Sequence, residues 1–163
     1  LASGAISDAA SGNVGATTLD LTDFETAVGT GGQYPGAQYR WFMHSAVFWA
    51  SAARLQDAAG GNAVNDLGNG PVMQFLGYPV TFTQVMPSTT GTSASTILAY
   101  FGDLSMAATL GVRRGVSTAV STERYFDEDM IGVRCTERIA INIHERGGDV
   151  NQRPIVALKT AAS

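Results

Sequence analysis

From Val133 to His144 apolar and polar residues alternate: Val133, Cys135, Ile139, Ile141 and Ile143 fall on one side, and Arg134, Thr136, Arg138, Asn142 and His144 on the other. A period of two is that of a β-strand. At about 3.3 Å per residue this one runs roughly 40 Å, about twice the ordinary length. A strand that long suggests a spine bracing something larger than the domain itself. Upstream, Leu21, Phe24 and Val28 recur at helical intervals, and Thr22 and Glu25 have the spacing of a capping box, which predicts a short helix from about Leu19 to Val28. Tyr39 to Met43 is an aromatic strand. Ser45 offers an N-cap to a helix over Ala46 to Ala59, apolar nearly all round and therefore buried. Phe75 to Thr83 and Thr96 to Phe101 are expected to be paired strands, followed by a short helix within Asp103 to Val112, an alternating strand at Val116 to Thr122, and a last strand from Pro154 to Lys159. Leu1 to Ala16, Gly29 to Gly36 and Gly60 to Gly70 have the composition of linkers or loops. Helices scattered among strands without regular βαβ units indicate an α+β fold.

Composition narrows the function classes. A chain of 163 residues can bury a real core in one domain. Only 15% of its residues are charged, against 45% hydrophobic and 19 glycines, so its surface relies on small polar groups and backbone and suits close contact with neighbours. The net charge of -4 and the lack of an extended Lys/Arg run argue against sequence-reading nucleic-acid binding, whose affinity comes largely from phosphate contacts. Cys135 stands alone, which excludes an internal disulfide; its place on the apolar side of the long strand predicts a small core hydrophobe. The most apolar stretch, Trp41 to Ala53, is shorter than the ~20 residues that span a bilayer. No basic n-region of a signal peptide precedes it, and the start at Leu1 suggests a processed or truncated product.

Catalytic equipment is sparse. No Gly-x-Ser-x-Gly elbow exists, and Ser93 in G-T-S-A-S lacks the second glycine. Gly29-Thr30-Gly31-Gly32 has the glycines of a phosphate cradle without its spacing or its lysine. His44 and His144 are too far apart in sequence for a local metal motif and read as surface or interface hydrogen-bonders. Asp127, Glu128 and Asp129 lack calcium-loop spacing and read as a solvated turn. Asp103 is explained as the N-cap of the following helical turn. Lys159, the single lysine, has no neighbours that support covalent chemistry. These residues assign no catalytic, cofactor or metal site.

Taken in order, Phe75-Leu76-Gly77-Tyr78-Pro79-Val80, Met86-Pro87, Phe101-Gly102-Asp103-Leu104-Ser105, Arg113-Arg114-Gly115, Asp129-Met130-Ile131 and Arg134-Cys135-Thr136-Glu137-Arg138 resemble the C-terminal half of tailed-bacteriophage major capsid proteins of the Hong Kong 97 type. The helix near Asp20 to Val28, the strand Tyr39 to Met43 and the Ala-rich helix ending Arg54-Leu55-Gln56-Asp57 fit the same pattern, and the match covers about residues 18 to 160. The resemblance implies a shell-forming coat protein with a peripheral and an axial domain. About Leu1 to Met43 and Glu137 to Ser163 would be peripheral, and about His44 to Thr136 axial. The family's N-terminal arm, extended loop and spine helix have no counterpart, so the chain would be a C-terminal portion that cannot close a shell alone.

Some members weld their shells with an isopeptide bond between a loop lysine and an asparagine before the long strand, helped by a glutamate within it. Here Asp129 takes the asparagine position and Thr136 the glutamate position, so the resemblance implies noncovalent contacts instead. Asp129, Arg134 and Arg138 are the candidate intersubunit residues, the two arginines because guanidinium forks on one strand face can grip a neighbour's carboxylates. The expected partners are copies of the chain in pentamers and hexamers, packaged double-stranded DNA without sequence specificity, and scaffolding and portal proteins, with no membrane. The location is the virion, with assembly in the host cytoplasm. Competing readings are an encapsulin-type nanocompartment shell, a small metal-dependent hydrolase using Asp127, Glu128, Asp129 or His144, and a free-standing binding module.

Overall fold

In the four residues Arg40–Met43 (β2) burial alternates along the strand: Trp41 and Met43 are fully buried, while Arg40 and Phe42 are not. Around this strand the computed structural model, which describes residues 5–32, 34–60, 73–143 and 153–162, builds a six-stranded mixed sheet. The other members are β1 (Ile6–Asp8), β3 (Gln74–Phe75), β4 (Tyr78–Phe82), β5 (Ile97–Gly102) and β8 (Ile155–Lys159), in the order β1-β8-β5-β2-β4-β3. β1 runs parallel to β8 and β2 parallel to β4, while the remaining pairs are antiparallel. The described residues up to Ala107 and from Arg153 onward form one compact unit, and Ala108 to Ile143 form a second. That second unit is a two-stranded antiparallel ribbon of β6 (Ala108–Ser121) and β7 (Gly132–Ile143). The boundaries at 43/44 and 136/137 expected from the resemblance cut across the sheet and the ribbon respectively.

The core of the first unit is aromatic. Phe24, Trp41, Phe75 and Phe101 meet edge to face or tilted, with ring centroids 4.8–5.5 Å apart for Phe24–Trp41, Phe24–Phe75 and Trp41–Phe101. Such contacts add to the stabilisation from burying the rings. Phe24 comes from α1 (Leu21–Thr30), whose buried residues Phe24 and Ala27 are three apart on one face. The capping device at its start lies two residues upstream of the expected Thr22/Glu25 pair. The Asp20 N–H donates to the Asp23 carboxylate at 3.0 Å, and that carboxylate also accepts from the Ala10 N–H at 2.8 Å and Asn13 Nδ2 at 2.6 Å. Asp23 is buried, so these donors replace the water it gives up.

Several expectations need correction. Part of the presumed N-terminal linker is ordered: β1 pairs with β8, and Ala5, Ser7, Ala9 and Ala16 are buried. The second helix starts at Ser45, but its N-cap is His44, whose Nδ1 accepts from the Ala46 N–H at 3.1 Å. It runs as α2 (Ser45–Phe48) through a π-helical turn (Trp49–Ala53) into α3 (Arg54–Ala58), and Trp49 is exposed although Phe48 and Ser51 to Ala53 are buried. Phe75 to Thr83 is broken into β3 and β4 by Leu76 and Gly77, both at positive φ. β4 and β5 do not pair, because β2 lies between them; the helical crossover lets β2 run parallel to β4 and occupy the centre. After Asp103 only Leu104–Ala107 is helical, and the chain then enters β6 at Ala108, where Leu110 and Val112 already follow the strand period. Among the described residues no helix is long and apolar enough to cross a membrane.

Candidate functional site

The ribbon carries all three predicted contact residues. Register pairs Leu110 with Ile141, Val112 with Ile139, Thr118 with Cys135 and Val120 with Val133, so these side chains share one face. On the opposite face Arg114 stands across from Arg138, Ser117 from Thr136 and Ala119 from Arg134. Two register shifts flank Arg114, one after Val112 and one before Ser117. Such bulges leave a residue of the longer strand unpaired and sharpen the local twist. They explain why the arginine side of β6 escaped detection: alternation is interrupted at Arg113 to Val116, so Arg114 was visible only as part of the Arg113-Arg114-Gly115 motif.

Cys135, expected in a core, is exposed: its own unit is a two-stranded ribbon, with only the partner strand beside it. Asp129 occupies the turn between the strands with φ of 50°. Asn and Asp tolerate that left-handed conformation better than most residues, which gives this position a conformational reason for its residue type independent of any cross-link. The turn is closed by the Glu128 and Met130 N–H groups donating to the Tyr125 carbonyl at 3.1 and 3.2 Å. Asp127, Glu128 and Asp129 are all exposed there. Among the described residues no group of three His, Cys, Asp or Glu side chains is placed to hold a metal.

The other candidates lie in the six-stranded unit, except His144, which falls outside the described residues. His44 Nε2 sits 3.1 Å from Gln84 Oε1. Lys159 Nζ pairs with Asp8 at 2.7 Å on the surface, tying β8 to the edge strand. Asp103 is richer in contacts. Its carboxylate accepts from the Gln38 N–H at 2.8 Å, the Ser105 N–H at 2.9 Å and the Ser105 hydroxyl at 2.7 Å. The Gln38 N–H first, then the Ser105 hydroxyl and N–H and the charge of Arg40, hold this carboxyl below the usual aspartate range. Gly36, Gln38, Arg40, Phe42 and Leu104 complete an open groove around it of about 500 Å³. The Gln38 bond joins the loop before β2 to the turn after β5, and the two bonds from Ser105 close that turn on itself, so the cluster is a structural clasp.

Solved structures with the same architecture exist. The capsid of an empty GTA particle superposes with a TM-score of 0.69 at 19% identity, over 96% of this chain and 50% of that one. The capsid of a native GTA particle gives the same TM-score and identity over 96% and 49%. A structure from Mycobacterium phage Bobi gives 0.56 at 18% identity, over 98% and 51%. At these identities the likeness is one of fold, and the chain spans about half the length of the structures it matches. No curated protein matches. The phage capsid family matches residues 2–147, nearly the whole of the sequence, and the chain belongs to that family.

Proposed function

We propose that this chain is the coat-forming part of a phage head protein, which assembles with copies of itself around double-stranded DNA and catalyses nothing. The observation that carries this reading is the uncovered apolar face of the ribbon. Leu110, Val112, Val120, Val133, Ile139, Ile141 and Ile143 are each between 52% and 69% exposed in a single copy. A two-stranded ribbon is marginal in water, and an apolar stripe of this kind marks a surface that meets other protein. Coat-protein surface covers it in the assembled shell. On this reading the six-stranded unit is the axial lobe and the ribbon a strip of the peripheral domain, which shifts the domain boundaries from 43/44 and 136/137 to the ends of the ribbon.

The net charge of -4 is consistent with a wall that encloses DNA without gripping it. Pentamers and hexamers, a scaffold, a portal and assembly in the host cytoplasm belong to the same reading. The test is particle formation by the coat protein carrying this chain, followed by negative-stain electron microscopy. Replacing both Ile139 and Ile141 by Asp should abolish shells while the six-stranded unit keeps its near-ultraviolet circular dichroism. Normal shells from that variant would overturn the proposal.

A further inference from the structure

The ribbon is divided by charge along its length. Its paired strands carry Arg113, Arg114, Arg134 and Arg138 against a single acid, Glu137; the turn between them carries Glu123, Asp127, Glu128 and Asp129 against a single base, Arg124. All ten are exposed. Arg124 is engaged at the turn, its guanidinium 5.7 Å from the centroid of the Tyr125 ring. Among the described residues no ion pair joins the arginines to any carboxylate; the pair that does form, Lys159 with Asp8, belongs to the other unit.

The acidic turn does not reach Arg114 and Arg138 of its own copy. Arg138 lies six residues along β7 from Gly132, where the pairing ends, a separation of about 20 Å. That is roughly twice the Debye length at moderate salt. Meanwhile Arg114 and Arg138 face each other directly, an arrangement that costs stability within one copy. A carboxylate set between two guanidinium forks would turn that cost into charge-assisted bidentate contacts.

We infer that the acidic turn of one copy's ribbon docks on the arginine face of a neighbouring copy's ribbon, with Asp127 and Glu128 meeting Arg114 and Arg138. This rests on the self-assembly reading above and gives it a geometry. The two surfaces are different patches of one chain, so the contact is heterologous and generates rings wherever the rotation closes. The occupant is a second copy because the complementary charge is carried by the same ribbon in matching number, whereas the acidic balance of the whole chain disfavours nucleic acid as the partner.

Charge reversal in the shell-forming protein tests this. Arg114→Glu with Arg138→Glu should lower particle yield by about tenfold or more, and so should Asp127→Arg with Glu128→Arg; all four together should restore it to within about threefold of wild type. Asp129 is left alone because its φ of 50° disfavours a long side chain. The neutral pair Arg114→Gln with Arg138→Gln guards against misfolding: wild type should assemble at a salt-dependent rate, and this variant should lose that dependence. Particle yield indifferent to the stem reversal, or a loss that the fourfold variant does not rescue, overturns the docking. Normal particles with reduced DNA content would assign the arginines to phosphate and overturn it as well. A wild-type protein that forms no particles overturns the self-assembly reading itself.

Discussion

Arg114 and Arg138 occupy directly opposite positions on the ribbon, with β6 bulged on both sides of Arg114. Two like charges so placed work against the strand pairing that brings them together, by roughly 0.2–1 kcal/mol. Arg114→Thr should therefore strengthen the ribbon in a single copy, most at low salt, where screening is weakest. Amide hydrogen exchange of β6 and β7 would read this as slower exchange in the variant. Faster exchange would mean that the arginines hold the ribbon together through their aliphatic stems.

Removing the Asp23 carboxylate should detach the N-terminal segment. Ala10, Asn13 and Asp20 all donate to it, and Asp23 is buried. Asp23→Ala leaves two backbone N–H groups without their acceptor and removes the shorter contact of the Asn13 amide, whose remaining acceptor, Asp20 Oδ2, lies at 3.5 Å. A buried group stripped of its partner costs about 1–3 kcal/mol, so chemical denaturation should show a loss of at least that size. Asn at this position keeps one acceptor oxygen and should lose less. Exchange of the Ala10 amide should accelerate in both variants, because β1 is anchored through this carboxylate as well as through β8.

How much of this was legible beforehand depended on whether a local period decided the outcome. β7 was readable because its apolar and polar residues alternate, and it ends within one residue of its expected limits at the described positions; β2 and β8 were readable as short runs of aromatic or aliphatic residues. The order of strands was not, since β2 enters between β4 and β5 through contacts distant in sequence. β1 is three residues in an Ala/Gly/Ser-rich stretch, with no period to betray it. For the candidate site, Arg134 and Arg138 followed from alternation, whereas Arg114 was hidden by the bulges. The apolar face was visible as a pattern, but a pattern does not say what covers it. Cys135 was therefore assigned to a core, and it lies exposed.

Gly102 should tolerate no side chain. It closes β5 with φ of 150°, and a Cβ there would fall 2.1 Å from the Pro154 carbonyl oxygen and 2.7 Å from Ile155 Cα. Both neighbours are backbone at the start of β8, held by the β5–β8 ladder and by the Asp103 N–H donating to Pro154 at 2.9 Å. Neither can yield without opening the sheet. Gly102→Ala should cost at least about 2 kcal/mol from overpacking and backbone strain together. The same substitution at Gly91, where a Cβ meets nothing within 4 Å, is the control and should be near neutral. A Gly102→Ala protein as stable as the control would show that the start of β8 is free to move.

The Asp103 clasp predicts an acid-side loss of stability. Its carboxyl is lowered in the folded chain, chiefly by the Gln38 N–H and then by Ser105 and Arg40. A depressed folded-state value means that the ionised form is favoured by folding. The contribution is then complete above the unfolded aspartate value, about 3.9, and is lost as pH falls through the lowered folded value. Asp103→Asn should thus be less stable than wild type at neutral pH, and the gap should close as the solution is acidified below about pH 4. Because the group is partly open to solvent, salt should shrink the Arg40 share of the gap while leaving the hydrogen-bonded share. Ser105→Ala, which removes only the hydroxyl donor, should lie between the two. Urea unfolding of the three proteins across the acid range checks this; a gap that stays constant to the lowest pH would mean that the ionised carboxylate contributes nothing and that the loop is held by the backbone alone.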